Sequence, residues 1–133
     1  MRRSFKTRTF ARWSRKAGVS DEVLREAIVE MTAGLVGADL GGSVFKKRVR
    51  MPGRGKRGSA RVLVATKPDD HWFLLYGFGK NEQANIDDRE LAALQKLASV
   101  LLSMAPAQLE QALARDEVME IIDEADEKKS NPK

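Results

Sequence analysis

Residues 72–79, WFLLYGFG, run for eight positions without a charged side chain. The stretch is far too short to span a membrane, and it lacks the strict alternation of a half-exposed strand. Near-continuous apolarity over this length marks a strand buried on both faces. A central position in an antiparallel sheet suits it best, so the rest of the chain is expected to supply flanking strands and covering helices.

The flanking strands are legible on either side of a glycine-rich segment. In VFKKRVRM, residues 44–51, Phe45, Val49 and Met51 share one face, and Val44, Lys46, Arg48 and Arg50 share the other. Residues 52–58 break any ladder with Pro and Gly. ARVLVATK, residues 60–67, is the next strand, and Lys67-Pro68-Asp69-Asp70 is a turn. Residues 3–7 suit a short edge strand.

Helices bracket this region. Phe10, Trp13 and Ala17 recur at helical spacing before Gly18, and Ser20 caps a second helix with Asp21 and Glu22 in its first turn. Leu24, Ala27, Ile28, Met31 and Leu35 form its apolar stripe, with Gly34 and Gly37 as the stop. Asn85 or Asp87 caps a third helix through Leu91, Leu94, Leu97, Ala98, Leu101 and Leu102. Pro106 opens a fourth, acidic helix through Leu109, Leu113, Val118, Ile121 and Ile122. The expected fold is α+β: N-terminal helices packed on a three- to four-stranded antiparallel sheet, with C-terminal helices. Residues 1–122 are expected to form one domain. Residues 123–133 are charged, nearly free of apolar side chains and expected to be disordered.

Charge is distributed in blocks. Residues 1–20 hold seven Lys or Arg and no acid, and residues 41–63 hold eight with no acid, so fifteen of the 24 basic residues lie in two acid-free segments. Such blocks are compensated by an anionic partner or by solvent, and two of them favour a polyanion. Without cysteine the chain has neither disulfides nor thiolate metal sites, and one histidine is too few for a typical zinc site. No cofactor or metal is expected. The basic N-terminus is not followed by the apolar core of a signal peptide, which points to a cytoplasmic protein with no membrane contact.

Lys46, Arg48 and Arg50, at i, i+2 and i+4, form a row about 13 Å long at ~3.3 Å per residue. That spacing suits tracking of a sugar-phosphate backbone. Arg61 stands beside the row if the two strands pair as a hairpin. Arg54, Lys56 and Arg57 in GRGKRG add charge among exposed amides suited to phosphate, and Lys47 lies within the basic segment. Tyr76 and Phe78 alternate with Leu75 and are expected to share a face. Aromatic rings beside cations make a base-stacking platform for single-stranded RNA, although Phe78, like Trp13 and Trp72, reads better as core. Lys80 and Asn81 close the strand. His71, after a turn and remote from the basic row, reads as structural.

RNA scission needs a base to take the ribose 2′-proton, cations to stabilise the phosphorane and an acid for the leaving oxygen. Like charge disfavours the charged form of an amine, so Lys46, flanked by Lys47 and Arg48, is a candidate base. Lys80 is the alternative.

The succession GGSVFKKRVRMPGRGKRGSARVLVATK and WFLLYGFGKNEQANIDDRELAALQKLA resembles the RelE/HigB toxins of bacterial type II toxin–antitoxin systems, most closely over about residues 41–98. It is similar to the branch with a GxGKxGxxR hairpin and a YGFxKNExxNI strand end. The resemblance implies helices on a compact antiparallel sheet and a metal-independent endoribonuclease that cuts mRNA, commonly on the ribosome. It also implies a neutralising antitoxin, of helix-turn-helix type, from an adjacent gene. By the same resemblance Lys46, Arg48 and Arg50 fall on the family's basic row, Arg61 on the arginine after the hairpin, and Lys80 near the basic residue closing the last strand. Well-known members carry a catalytic tyrosine in their C-terminal segment. This chain has NIDDREL there, which leaves Tyr76 as the substitute. A non-catalytic interaction module on the same scaffold, or a gyrase-directed member of the wider superfamily, are the rival expectations.

Overall fold

A computed structural model describes residues 2–51, 59–79 and 85–122. The element order is β1 (Ser4–Thr7), α1 (Arg8–Ala17), α2 (Asp21–Thr32), β2 (Ala38–Asp39), β3 (Val44–Arg50), β4 (Ser59–Ala65), β5 (Trp72–Gly79), α3 (Asp88–Leu102), α4 (Pro106–Ala114) and β6 (Val118–Glu120). The strands join in one six-stranded sheet, ordered β2-β3-β4-β5-β1-β6.

This sheet is larger than the three or four antiparallel strands expected, and one pair is parallel. β5, apolar on both faces, takes β4 antiparallel on one edge and β1 parallel on the other. Phe5 of β1 is fully buried and stacks on Phe73, with ring centroids 5.2 Å apart. The expected last helix ends early, at Ala114. Asp116 then adopts a left-handed backbone (φ 56°), and residues 118–120 pair antiparallel with β1. Val118 and Ile121, read in sequence as one helical stripe, belong to different faces of the sheet. A separation of three residues fits either a helix face or the two sides of a strand, and the free edge of β1 decided between them.

The other helices match their local signals. Ser20 and Asp87 accept hydrogen bonds from the amides of Val23 and Glu90, and Gly18 ends α1 at φ 76°. α2 stops at Thr32, so Leu35 lies beyond the helix and is exposed. Helices cover both faces. α1 and α2 pack Phe10, Leu24 and Met31 against Val49, Val62, Val64 and Leu74. α3 and α4 pack Ala98, Leu101, Leu109 and Ala112 against Phe5, Leu63, Phe73 and Leu75. Among the described residues no helix is long and apolar enough to cross a membrane. The expected tail, residues 123–133, lies outside the described residues.

Candidate functional site: a cationic sheet face

The β3–β4 hairpin sets the geometry. Its register places Arg48 directly opposite Arg61 and Lys46 opposite Leu63. β5 continues both rows, with Phe78 opposite Arg61 and Tyr76 opposite Leu63. Lys46, Arg48, Arg61, Tyr76 and Phe78 therefore share the sheet face covered further along by α3 and α4. At the usual ~4.8 Å between strands, Lys46 and Tyr76 are about 10 Å apart at the backbone.

A β-bulge makes this arrangement possible. Leu63 pairs with Tyr76 and Val64 with Leu74, which leaves Leu75 as the additional residue in β5. The bulge rephases the strand, so Phe73 and Leu75 lie on the α3 face and so do Tyr76 and Phe78. Sequence alternation had set Leu75 apart from Tyr76 and Phe78, and the bulge removes that distinction. Gly77 now turns toward α1. A Cβ there would fall 2.4 Å from the Trp13 ring, so the glycine admits the indole. Trp72 is buried and Phe78 is core at 2% exposure, whereas Tyr76 is half-buried with its ring 6.1 Å from that of Phe78.

The first turn of α3 and Asn85 just before it border the face. Lys46 Nζ donates to Asn85 Oδ1 at 3.5 Å, and the Tyr76 hydroxyl donates to Glu90 Oε2 at 3.2 Å. Arg61 reaches Ser59 Oγ at 3.5 Å. Among the described residues Lys46, Arg48 and Arg61 form no ion pair with an acidic side chain. Glu90 and Asn85 carry no sequence signal for this position. Asn85 reads only as a candidate helix cap and Glu90 has no reading of its own, and only the packing of α3 on the sheet brings them to Lys46 and Tyr76.

Two of the expected site residues, Lys47 from the basic segment and Arg50 from the row, are engaged by α2. Lys47 lies on the opposite face, where its Nζ pairs with Glu30 of α2 at 2.6 Å. Arg50 sits at the strand end, and its guanidinium is held by Glu26 of α2 at 3.0 Å. These two ion pairs bridge an open groove of about 480 Å³ between α2 and β3. Arg54, Lys56, Arg57, Lys80 and Asn81 lie outside the described residues.

Much of the N-terminal basic block is engaged within the protein. Arg2 lies 4.1 Å over the Trp72 ring and donates to the Asp70 carbonyl. Arg3 pairs with Glu120 at 2.8 Å and with Glu110 at 3.3 Å, and Lys6 pairs with Asp21 at 2.7 Å. Hydrogen bonding to Arg3 holds the Glu120 carboxyl below its ordinary range, and the same contact raises the Arg3 guanidinium. His71 is structural in its contacts: Nδ1 accepts the Arg3 amide at 2.9 Å, and the ring meets Phe5 edge-on.

Fold and face together define a small α+β protein with cations concentrated on one sheet surface. The chain belongs to the RelE toxin family: residues 2–121 match the family model described as the RelE toxin of the RelE/RelB toxin–antitoxin system. No curated protein matches the sequence. Membership makes the chain a toxin of a toxin–antitoxin system, in a family whose toxins generally inhibit translation, and implies an antitoxin partner.

Proposed function

We propose that this toxin is a metal-independent endoribonuclease that cleaves mRNA on the ribosome and thereby arrests translation. The observation that carries the reading is the juxtaposition of Arg48 and Arg61. Like charges directly opposite on adjacent strands cost stability, and Lys46 adds a third cation on the same face. A polyanion lying across the face compensates all three. RNA supplies the phosphates, and Tyr76 at the border offers a ring on which a base can stack.

In the proposed reaction the ribose 2′-hydroxyl attacks the adjacent phosphate. Arg48 and Arg61 stabilise the charge that develops on phosphorus, and Lys46 serves as base or charge partner. Arg50 joins them once its pairing with Glu26 is exchanged for phosphate. Lys80 is the alternative base, and Arg54, Lys56, Arg57 and Asn81 grip the RNA or ribosomal backbone. The partner that silences the toxin is a helix-turn-helix antitoxin encoded next to it, and the pair acts in the cytoplasm.

The test combines Lys46→Ala with Arg61→Ala. Purified wild type, assayed with and without ribosomes, is expected to cut mRNA on the ribosome and leave 2′,3′-cyclic phosphate ends. The double variant is expected to fold normally and to lose both cleavage and growth arrest. Full toxicity in that variant overturns the assignment. DNA breaks in place of RNA cuts would identify a gyrase-directed toxin instead.

A further inference from the structure

We propose that Glu90 is the general base of the cleavage reaction, an assignment that rests on the nuclease reading above. Glu90 is half-buried in the first turn of α3, and its amide is fixed by a 2.7 Å hydrogen bond to Asp87 Oδ1. Its carboxylate accepts the Tyr76 hydroxyl at 3.2 Å, at the border of the face that carries Lys46, Arg48 and Arg61. One carboxylate oxygen meets the phenol, and a carboxylate has lone pairs left over for a second donor.

The chemistry favours this residue over the lysines. An ammonium group must first lose its proton before it can accept another, whereas a carboxylate accepts one directly. The base is held on the Tyr76 side and the cation on the Lys46 side of strands whose backbones lie about 10 Å apart there, two strand spacings. Leu63 between them is covered by the helices, so the phosphate lies at the open end of the face, held by Arg48 and Arg61 one pair along the hairpin, and meets both groups from there. In the step so defined, the 2′-hydroxyl proton passes to Glu90 and the 2′-oxygen forms its bond to phosphorus. The bond from phosphorus to the 5′-oxygen breaks, and that oxygen takes a proton from the Lys46 ammonium. Glu90 and Lys46 then exchange protons with solvent, which restores both. Tyr76 acts as a positioning residue that holds the carboxylate at the edge of the face.

The experiment compares wild type, Glu90→Gln, Glu90→Asp, Glu90→Ala and Tyr76→Phe for RNA cleavage, RNA binding and thermal unfolding. Glu90→Gln keeps an oxygen that accepts the Tyr76 hydroxyl but removes the base. It is expected to lower kcat by roughly 10²- to 10⁴-fold with KM and RNA affinity within about threefold of wild type. Glu90→Asp should recover part of kcat, and added formate should restore turnover to Glu90→Ala in proportion to its concentration. Tyr76→Phe should cost less than Glu90→Gln. Wild-type kcat in Glu90→Gln, or no formate rescue together with a loss confined to thermal stability, overturns the assignment of Glu90 while leaving the nuclease reading intact. Wild-type protein that cuts no RNA, with or without ribosomes, overturns both.

Discussion

Lys47 Nζ lies 2.6 Å from Glu30 Oε1, on the side of the sheet opposite Lys46 and Arg48. Adjacent lysines in the sequence thus have separate roles, one in fastening α2 to β3 and one on the cationic face. Lys47→Ala is expected to lower stability by about 1–2 kcal/mol, less than the loss of a fully buried pair, because Glu30 is half exposed. Urea unfolding measures that loss, and RNA cleavage should be unchanged. A Lys47→Ala protein of normal stability that no longer cleaves RNA would return Lys47 to the site.

Arg48 and Arg50 differ in the same way. Arg50 is held by Glu26, whereas Arg48 has no acidic partner among the described residues. Arg48→Ala is therefore expected to weaken RNA binding more than Arg50→Ala. If about six phosphates are engaged, the wild-type slope of log affinity against log salt should be about −4, and Arg48→Ala should make it shallower by about 0.7. Equal slopes for Arg48→Ala and wild type would remove Arg48 from the phosphate contacts.

Gly77 holds the place of the Trp13 ring. A methyl group there meets the indole carbons at 2.4 Å and forces α1 away from β5. Gly77→Ala should cost about 1–3 kcal/mol, the range for overpacking a core. Thermal unfolding reads the cost, and a shift in Trp fluorescence should accompany it. An unchanged melting temperature would mean that α1 is not seated against β5 at this point.

The Arg3–Glu120 pair ties β1 to β6, and its pH dependence has a defined sign. Glu120 titrates lower in the folded protein than in the unfolded chain, because Arg3 donates to its carboxylate. Its contribution is complete above the unfolded carboxyl range, about 4.3, and is lost as pH falls through the lower folded value. Arg3 stays protonated throughout that window. Glu120→Gln should thus be less stable than wild type by about 1 kcal/mol at neutral pH. The difference should vanish in strong acid. Urea unfolding across that pH range checks it, and a difference that widened in acid would contradict the pairing.

The sequence by itself determined the local elements that neighbouring residues dictate. Ser20 and Pro106 set helix starts, Asn85 or Asp87 a third that the structure assigns to Asp87, Gly18 an end, and the uninterrupted apolarity of β5 its central place, since caps and periodicity act within a few residues. It also placed Lys46, Arg48 and Arg61 on one face, because strand alternation and a hairpin suffice for that. Only the tertiary structure decided the rest. The bulge at Leu75, the strand at Val118–Glu120, the capture of Lys47 and Arg50 by α2, and the approach of Glu90 to Tyr76 join groups far apart in sequence. Their positions follow from which helix covers which sheet face, and no local pattern of side chains encodes that choice.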